Sequence, residues 1–187
     1  MPTHISFHEY GIENFDCLLE CGYIVDGIDA SIEAKKLVEL KLNKRLELMG
    51  RATLRHLSPD ATMLPYEDST FDYGTCLSVL SLLGSKTRAQ HLLSEFVRVM
   101  RPCAKLIIDV NGPNSDFAHY ATSRGNDIYE TRGPSREEPP HLSYCPRDTQ
   151  TFVELVKPFL VIDDVGYSAH KYFHSEIHEF TICAHKA

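Results

Sequence analysis

One stretch near the middle of the chain, residues 60–110, most constrains the fold. Within it, Phe71–Leu80 and Leu106–Val110 are mostly apolar and are typical of buried strands. Between them, Thr87–Met100 places apolar side chains at helical spacing, with polar residues on the opposite face. Two buried strands joined by an amphipathic helix predict a parallel β-α-β unit that is covered on both faces.

Local signals support the bounds of this unit. Thr87 and Gln90 have the spacing of a capping box, which predicts the start of the helix. Pro102 predicts the end of the helix, because proline cannot continue it. Asp109 is the one acid in the second strand, and Asp72, at the start of the first strand, is interpreted as structural rather than catalytic.

Strand and helix patterns alternate through most of the remaining chain, which predicts a doubly wound α/β sheet with mainly parallel strands. Ser31 and Asp148 are the expected helix caps. The last two strands are expected to form an antiparallel pair. The other predicted strands are His4–Phe7, Tyr23–Ile28, Thr53–Leu57, Leu160–Tyr167 and Glu179–His185, and the other predicted helices are Asn14–Cys21, Ile32–Met49 and Thr149–Phe159.

Residues 111–147 are rich in proline and glycine and are predicted to be a loop region with a short helix near Ser115–Ser123. A loop of this length inside a compact domain is usually functional. We therefore expect a single domain, residues 1–187, with 111–147 as a variable insertion that serves as a lid or acceptor site.

Composition narrows the class of protein. The chain has 187 residues and a net charge of −7, which argues against a general nucleic-acid or anionic-membrane binder. Its first residues lack the basic and apolar regions of a secretory signal, so we expect a cytoplasmic protein whose six cysteines are free thiols. The spacings of Cys17 with Cys21 and of His170, His174 and His178 do not predict a metal site.

Two motifs in this order resemble the class I methyltransferases that use S-adenosylmethionine (SAM), specifically the methyltransferase type 11 group. The first, D-A-x-x-L-P-Y-x-D-x-x-F-D, begins at Asp60, and the second, E-F-x-R-V-M-R-P, begins at Glu95. The resemblance covers nearly the whole chain. It implies a Rossmann-like, mostly parallel seven-stranded sheet of order 3-2-1-4-5-7-6 with its seventh strand antiparallel, and it implies SAM as cofactor with S-adenosylhomocysteine as product.

In a doubly wound sheet, ligands bind beyond the carboxyl ends of the strands, where the strand order reverses. Asp29 closes the second predicted strand, and a carboxylate there can accept hydrogen bonds from both ribose hydroxyls; the alternative is an acid that only starts the next helix. The resemblance implies that Asp60 binds the adenine amino group; the alternative is a solvated loop acid. The cofactor-binding residues that we predict are Gly11, Asp29, Ala30, Asp60, Ala61, Ser78 and Val79.

Ser78 and Val79 would line the methionine and methyl end of the pocket, with plain packing as the alternative. The first loop departs from the family pattern of G-x-G-x-G, since Phe7 and Glu9 stand where glycines belong and only Gly11 remains. The segment Pro102–Cys103–Ala104 likewise replaces the usual P-G-G.

The resemblance implies SAM-dependent methyl transfer to a small-molecule acceptor, with oligomeric state open and no catalytic residue assigned. A base for the acceptor, if one is needed, would come from the insertion, where the candidates are His119, Tyr120, His141 and Tyr144. The alternative, favoured by the altered first loop, is a catalytically inactive methyltransferase-like domain that acts as a binding or regulatory partner. A nicotinamide-dependent oxidoreductase would share Asp29 but needs G-x-G-x-x-G, which the chain lacks.

Overall fold

A computed structural model describes residues 1–8, 12–45, 48, 50–58, 60–132, 140–173 and 175–187. The strands are β1 (Thr3–His8), β2 (Ile24–Asp29), β3 (Ala52–His56), β4 (Phe71–Leu77), β5 (Met100–Asn111), β6 (Thr122–Gly125), β7 (Ile128–Thr131), β8 (His141–Tyr144), β9 (Val161–Tyr172) and β10 (Ser175–His185). The helices are α1 (Ile12–Glu20), α2 (Ile32–Leu42), α3 (Lys86–Val99), α4 (Asp116–Tyr120) and α5 (Thr149–Val156), with a 3-10 helix at Leu80–Leu83.

Seven strands form the central sheet in the order β3-β2-β1-β4-β5-β10-β9. Strands β1 to β5 are parallel to one another, whereas β10 is antiparallel to both β5 and β9. Because β6, β7 and β8 form a separate small sheet, counting the central strands alone gives the predicted order 3-2-1-4-5-7-6. The predicted fold class is confirmed, and β1 lies where the order reverses.

Helices cover the sheet on both faces, and each face has its own apolar cluster. The larger cluster joins β1, β4, β5 and β10 to α3 and α5, and includes the fully buried side chains of Ile5, Phe96, Leu106 and Phe152. The smaller cluster joins β2 to α1 and α2 through Leu19, Val25, Val38 and Leu48. Of the helices in the described ranges, none has the length and apolar character needed to cross a bilayer.

Several predicted element bounds differ from the observed ones. Strand β5 begins at Met100 rather than Leu106, so Pro102 and Cys103 belong to the strand. Strands β9 and β10 are longer than predicted, and α5 ends at Val156 rather than Phe159.

Two further differences have identifiable reasons. Helix α2 ends at Leu42 rather than Met49, because the chain turns there and brings Leu48 into the smaller cluster. Strand β4 ends at Leu77 rather than Leu80, because Ser78 adopts a left-handed φ of 60° that a strand does not accommodate.

Of the predicted helix caps, one is wrong and two are confirmed. The predicted capping box at Thr87 is wrong, since α3 begins one residue earlier and its cap is Ser85, whose Oγ accepts the Arg88 N–H at 3.5 Å. The predicted caps of α2 and α5 are confirmed: Ser31 Oγ accepts the Ala34 N–H at 3.2 Å, and Asp148 Oδ1 accepts the Thr151 N–H at 2.7 Å. All six cysteines are free thiols, as predicted.

The region predicted as a loop at 111–147 contains more regular structure than expected. After the short helix α4, strands β6, β7 and β8 form a three-stranded antiparallel sheet. The hairpin between β6 and β7 turns at Asn126 and Asp127, whose φ values are 53° and 62°. Asparagine and aspartate tolerate positive φ and favour such turns, so this dipeptide is the sequence signal for the hairpin.

The two family motifs meet in a hydrogen-bonded clamp formed by Glu95 and Arg98 of α3. Glu95 Oε2 accepts the Leu64 N–H at 2.8 Å, and Arg98 Nη2 donates to the same carboxylate oxygen at 2.8 Å. Arg98 also donates to the carbonyl oxygens of Leu64 and Tyr66, at 3.0 and 2.8 Å, and to Asp68 Oδ1 at 2.9 Å. The E-F-x-R motif therefore holds the L-P-Y-x-D loop, which leads from β3 into β4.

Asp72 ties the starts of three strands together. Its Oδ2 accepts the Thr3 N–H and hydroxyl, both at 2.9 Å, and its Oδ1 accepts from Arg101 Nη1 at 2.6 Å. The backbone bond from Thr3 and the bond from Arg101 lower the pKa of this carboxyl. These contacts lie at the amino ends of β1, β4 and β5 and agree with a structural role.

Replacing Glu95 by glutamine tests the clamp. We expect E95Q to lower the free energy of unfolding by about 2 kcal/mol near neutral pH, because Arg98 would lose its partly buried anion. Arg98 lowers the pKa of Glu95 below its ordinary value of 4.5, so the ionised carboxylate stabilises the fold above that value. The deficit of E95Q, measured by urea unfolding, should shrink as the pH falls through the range below 4.5.

The control is E39Q, which removes the exposed Lys35–Glu39 pair on α2 and should change stability by less than about 0.5 kcal/mol. An equal loss in E95Q and E39Q would contradict the clamp.

Cys103 gives a second test, because it is exposed and has a φ of 62°, a conformation that glycine adopts without strain. We expect C103G to raise the free energy of unfolding by about 1 kcal/mol. The matched variant C17G makes the same substitution at an exposed site within α1 and should lower it by about 0.5 kcal/mol. Thermal or urea unfolding measures both values, and a loss of stability in C103G would contradict the analysis.

Candidate functional site

The carboxyl ends of β1 to β5 lie along one edge of the sheet, as they must in parallel strands. In the ladder between β2 and β3, Asp29 is paired with His56. One residue further on, the Leu57 N–H donates to the Asp29 carbonyl oxygen at 2.9 Å. The chain that leaves β3 toward Asp60 therefore starts beside Asp29, so the two predicted acids follow neighbouring strand ends.

Asp29 sits in a turn that orients its side chain. Its Oδ1 accepts the Ser31 N–H at 2.6 Å, while Ser31 caps α2. Partial burial raises the pKa of the carboxyl, whereas the bond from Ser31 and the nearby His56 act in the opposite direction. Among the described residues no hydrogen bond engages Oδ2, and the adjacent Ala30 is exposed. A half-buried carboxylate with an acceptor oxygen to spare suits a ribose diol.

Asp60 and Ala61 lie in an exposed turn after β3. The Asp60 N–H donates to Ser58 Oγ at 3.3 Å, and the Ala61 N–H donates to the Ser58 carbonyl oxygen at 2.9 Å. Because that N–H is already used within the turn, an adenine ring nitrogen would have to displace the bond. The Asp60 carboxylate is the more accessible group of the two for an adenine amino group.

Ser78 and Val79 follow β4, on the other side of β1 from Asp29. The Ser78 N–H donates to Asp109 Oδ1 at 2.5 Å. Val79 is half-buried and packs against the larger apolar cluster, so packing accounts for part of its role. The structure thus places these two residues at the same edge of the sheet as the acids, separated from them by β1.

The predicted first loop is only partly described. Phe7 belongs to β1, where it pairs with Ile28 and Cys76, and its ring meets Phe96 edge-on at 5.4 Å. It is therefore a core strand residue without positive φ, and its expected conflict with a glycine conformation does not arise. Glu9 and Gly11 lie outside the described residues, and α1 begins immediately after Gly11.

The candidate bases of the insertion differ in their exposure to solvent. The Tyr144 side chain is fully buried, and burial raises the pKa of its phenol above the ordinary value. Within the described part of the chain its hydroxyl has no hydrogen-bond partner. Tyr120 is 87% exposed, His141 is also exposed, and the His119 side chain is not described. A buried tyrosine whose charged form is disfavoured is a poor general base.

Asp109 is the residue that our sequence analysis did not assign to the site. It is 9% exposed, and burial raises its pKa to about 7. The nearby Glu179 also raises this pKa, whereas the hydrogen bond from Ser78 lowers it. A single acid in an otherwise apolar strand is the signal that would have found it, because buried polar groups are rare and costly.

A second polar cluster lies on β9 and β10. His178 is buried; its Nδ1 is hydrogen-bonded to the Tyr167 hydroxyl, and its Nε2 lies 2.7 Å from Glu176 Oε1. The His178 carbonyl oxygen accepts the Gly112 N–H at 2.7 Å, which links the pair of strands β9 and β10 to the end of β5. Among the described residues no group of three metal-ligating side chains comes together.

The family comparison agrees with this geometry. The model of a methyltransferase domain matches residues 11–108, more than half of the chain. The matched segment includes both acids and both sequence motifs. No curated protein sequence matches the chain.

Solved structures with the same fold cover the whole chain. A SAM-dependent methyltransferase from Methanosarcina mazei aligns with a TM-score of 0.80 at 19% identity, over 99% of this chain and 92% of that one. The 1,6-didemethyltoxoflavin-N1-methyltransferase of Burkholderia thailandensis, with bound 1,6-didemethyltoxoflavin and S-adenosylhomocysteine, gives 0.70 at 14%, over 100% and 72%. The [4+2]-cyclase SpnF gives 0.71 at 15%, over 99% and 75%.

Proposed function

Because the chain belongs to the methyltransferase domain family, we propose that it transfers the methyl group of SAM to a small-molecule acceptor. The observation that carries this proposal is the placement of Asp29 and Asp60 after neighbouring parallel strands, beside the point where the strand order reverses. Ligands of doubly wound sheets bind at that point.

Each predicted residue has a distinct task in this proposal. Asp29 accepts hydrogen bonds from the ribose hydroxyls through its carboxylate, with Ala30 beside it at the exposed edge. Asp60 accepts from the adenine amino group. Ser78 and Val79 lie beyond β1 and border the methionine end of the cofactor.

SAM, when bound, supplies a methyl group on a sulfonium, whose positive charge disperses during transfer. The protein then needs chiefly to hold the two reactants close and aligned, since orientation alone supplies a large rate advantage. The burial of Tyr144, which makes it a poor base, fits a site that relies on positioning.

The insertion at 111–147 is the part of the chain that we assign to the acceptor. Its strand β8 packs beside the 3-10 helix that follows Val79, so closely that a side-chain Cβ at Gly84 would lie 2.6 Å from the Leu142 carbonyl oxygen. This contact holds the small sheet next to the end of β4, where a lid over the methyl group would have to lie. The small-molecule acceptor named for the Burkholderia enzyme supports the same acceptor class.

The cyclase among the similar structures shows that this fold also serves other reactions. A non-catalytic binding domain is the second candidate, to which the family match gives no support. Of the two residues that replace glycines in the first loop, Phe7 lies in the core, whereas Glu9 lies outside the described residues. Cofactor binding followed by methyl transfer separates these functions.

The test is calorimetric titration of S-adenosylhomocysteine into the full chain, followed by assay of methyl transfer to a panel of small protic acceptors. We expect binding, with D29N weakening it about 10- to 100-fold, because a hydrogen bond to a charged group contributes about 1.5–3 kcal/mol. D60N should weaken it less, since Asp60 is exposed.

The matched control is D164N, which removes an exposed carboxylate from β9, the outermost strand on the side of the sheet away from β2 and β3. Its affinity should equal that of the unmodified protein. Absence of binding at millimolar ligand, or an equal loss in D164N and D29N, would refute the proposed site.

A further inference from the structure

We propose that Asp109 is a positioning residue for the cofactor site, and that its ionised carboxylate holds Ser78 in the conformation that binds the cofactor. This inference rests on the proposed function and deepens it by adding a pH-dependent control of the same site. It assigns a role to a buried acid that the methyl-transfer chemistry leaves unused.

The geometry that carries the inference is a single short bond. Asp109 Oδ1 accepts the Ser78 backbone N–H at 2.5 Å. Such a bond is stronger when the carboxylate that accepts it is ionised. Ser78 has a φ of 60°, which a residue with a Cβ adopts only when its surroundings impose it. The bond therefore fixes the backbone at the turn that ends β4.

A second contact holds the same turn to β5. The Asn111 N–H donates to Ser81 Oγ at 2.9 Å, and Ser81 is fully buried in the 3-10 helix. Asp109 and Asn111 thus hold the two ends of the segment 78–81 against the last residues of β5. Because Ser81 holds the 3-10 helix, only the backbone conformation at Ser78 depends on the Asp109 carboxylate.

The groups around Asp109 explain why its charged form is disfavoured. Across the sheet it is paired with Thr181 of β10, and Glu179 of the same strand faces it as a second acid. From β4, the Cys76 thiol is buried and its pKa is raised by that burial and by Asp109. Within the described residues no lysine or arginine forms an ion pair with Asp109.

The direction of the pH effect follows from these contacts. Burial raises the pKa of Asp109 from its ordinary value of 3.8 to about 7, so the carboxyl is protonated in mildly acidic solution. A neutral carboxyl is a weaker acceptor for the Ser78 N–H, and the turn loses its main restraint. Cofactor affinity should therefore rise as the pH increases through about 7.

The experiment measures the dissociation constant of S-adenosylhomocysteine for the full chain across the range on either side of neutrality. We expect the affinity of the unmodified protein to rise about tenfold with increasing pH. The variant D109N keeps an oxygen acceptor but cannot ionise, so its affinity should be lower and should lack this rise.

Glycine at position 78 separates positioning from a direct charge effect. In S78G the left-handed conformation no longer needs an external restraint, so adding D109N should cost much less affinity than it does alone. If D109N costs the same in both backgrounds, or if its affinity keeps the pH dependence of the unmodified protein, the proposal is overturned.

The ligand-free protein provides an independent measurement. The amide proton shift of Ser78, followed by NMR, should titrate with a midpoint near 7 in the unmodified protein and should not titrate in D109N. No ligand binding at any pH would refute the proposed function, whereas a flat Ser78 titration would refute the positioning role even if the ligand binds.

Discussion

The Glu95–Arg98 clamp is the interaction on which the candidate site depends. It is the means by which a helix on one face of the sheet holds the loop that runs from β3, past Asp60, to the start of β4. The carbonyl oxygens of Arg98 and Val99 extend this anchoring to Ser69 and Thr70. The bonds of Leu57 to Asp29 and of Asp60 and Ala61 to Ser58 hold the start of this loop, and the clamp holds its second half.

This arrangement explains why a short sequence motif predicts both fold and function. The residues of L-P-Y-x-D and E-F-x-R bond to one another and fix the path of the loop that follows Asp60. Asp72, which closes the first motif, joins the opposite ends of the strands. The motif therefore describes a structural framework, and the proposed site lies at the strand ends that this framework brings together.

Sequence reasoning predicted the sheet order, the helix on each side and the position of Asp29, because these follow from periodicity and from a shared motif. It missed the small sheet in the insertion, since strands of four residues that are exposed or half-buried throughout show no alternation between buried and exposed positions. It also missed the role of Asp109, because that role arises from a contact with Ser78, 31 residues away in sequence. Contacts between distant segments leave no local pattern, and caps such as Ser85 depend on a helix start shifted by a single residue.

The turn after β2 has a consequence for the thermodynamics of recognition. One carboxylate oxygen of Asp29 accepts a hydrogen bond from the Ser31 N–H, and Ser31 is the N-cap of helix α2. The Asp29 side chain loses its torsional freedom when the protein folds, so a nucleoside in the proposed site would meet an acceptor that is already immobilised. Selectivity for a vicinal diol at this position can then come from preorganisation rather than from added contact area, and changes at Ser31 would alter affinity without touching the ligand.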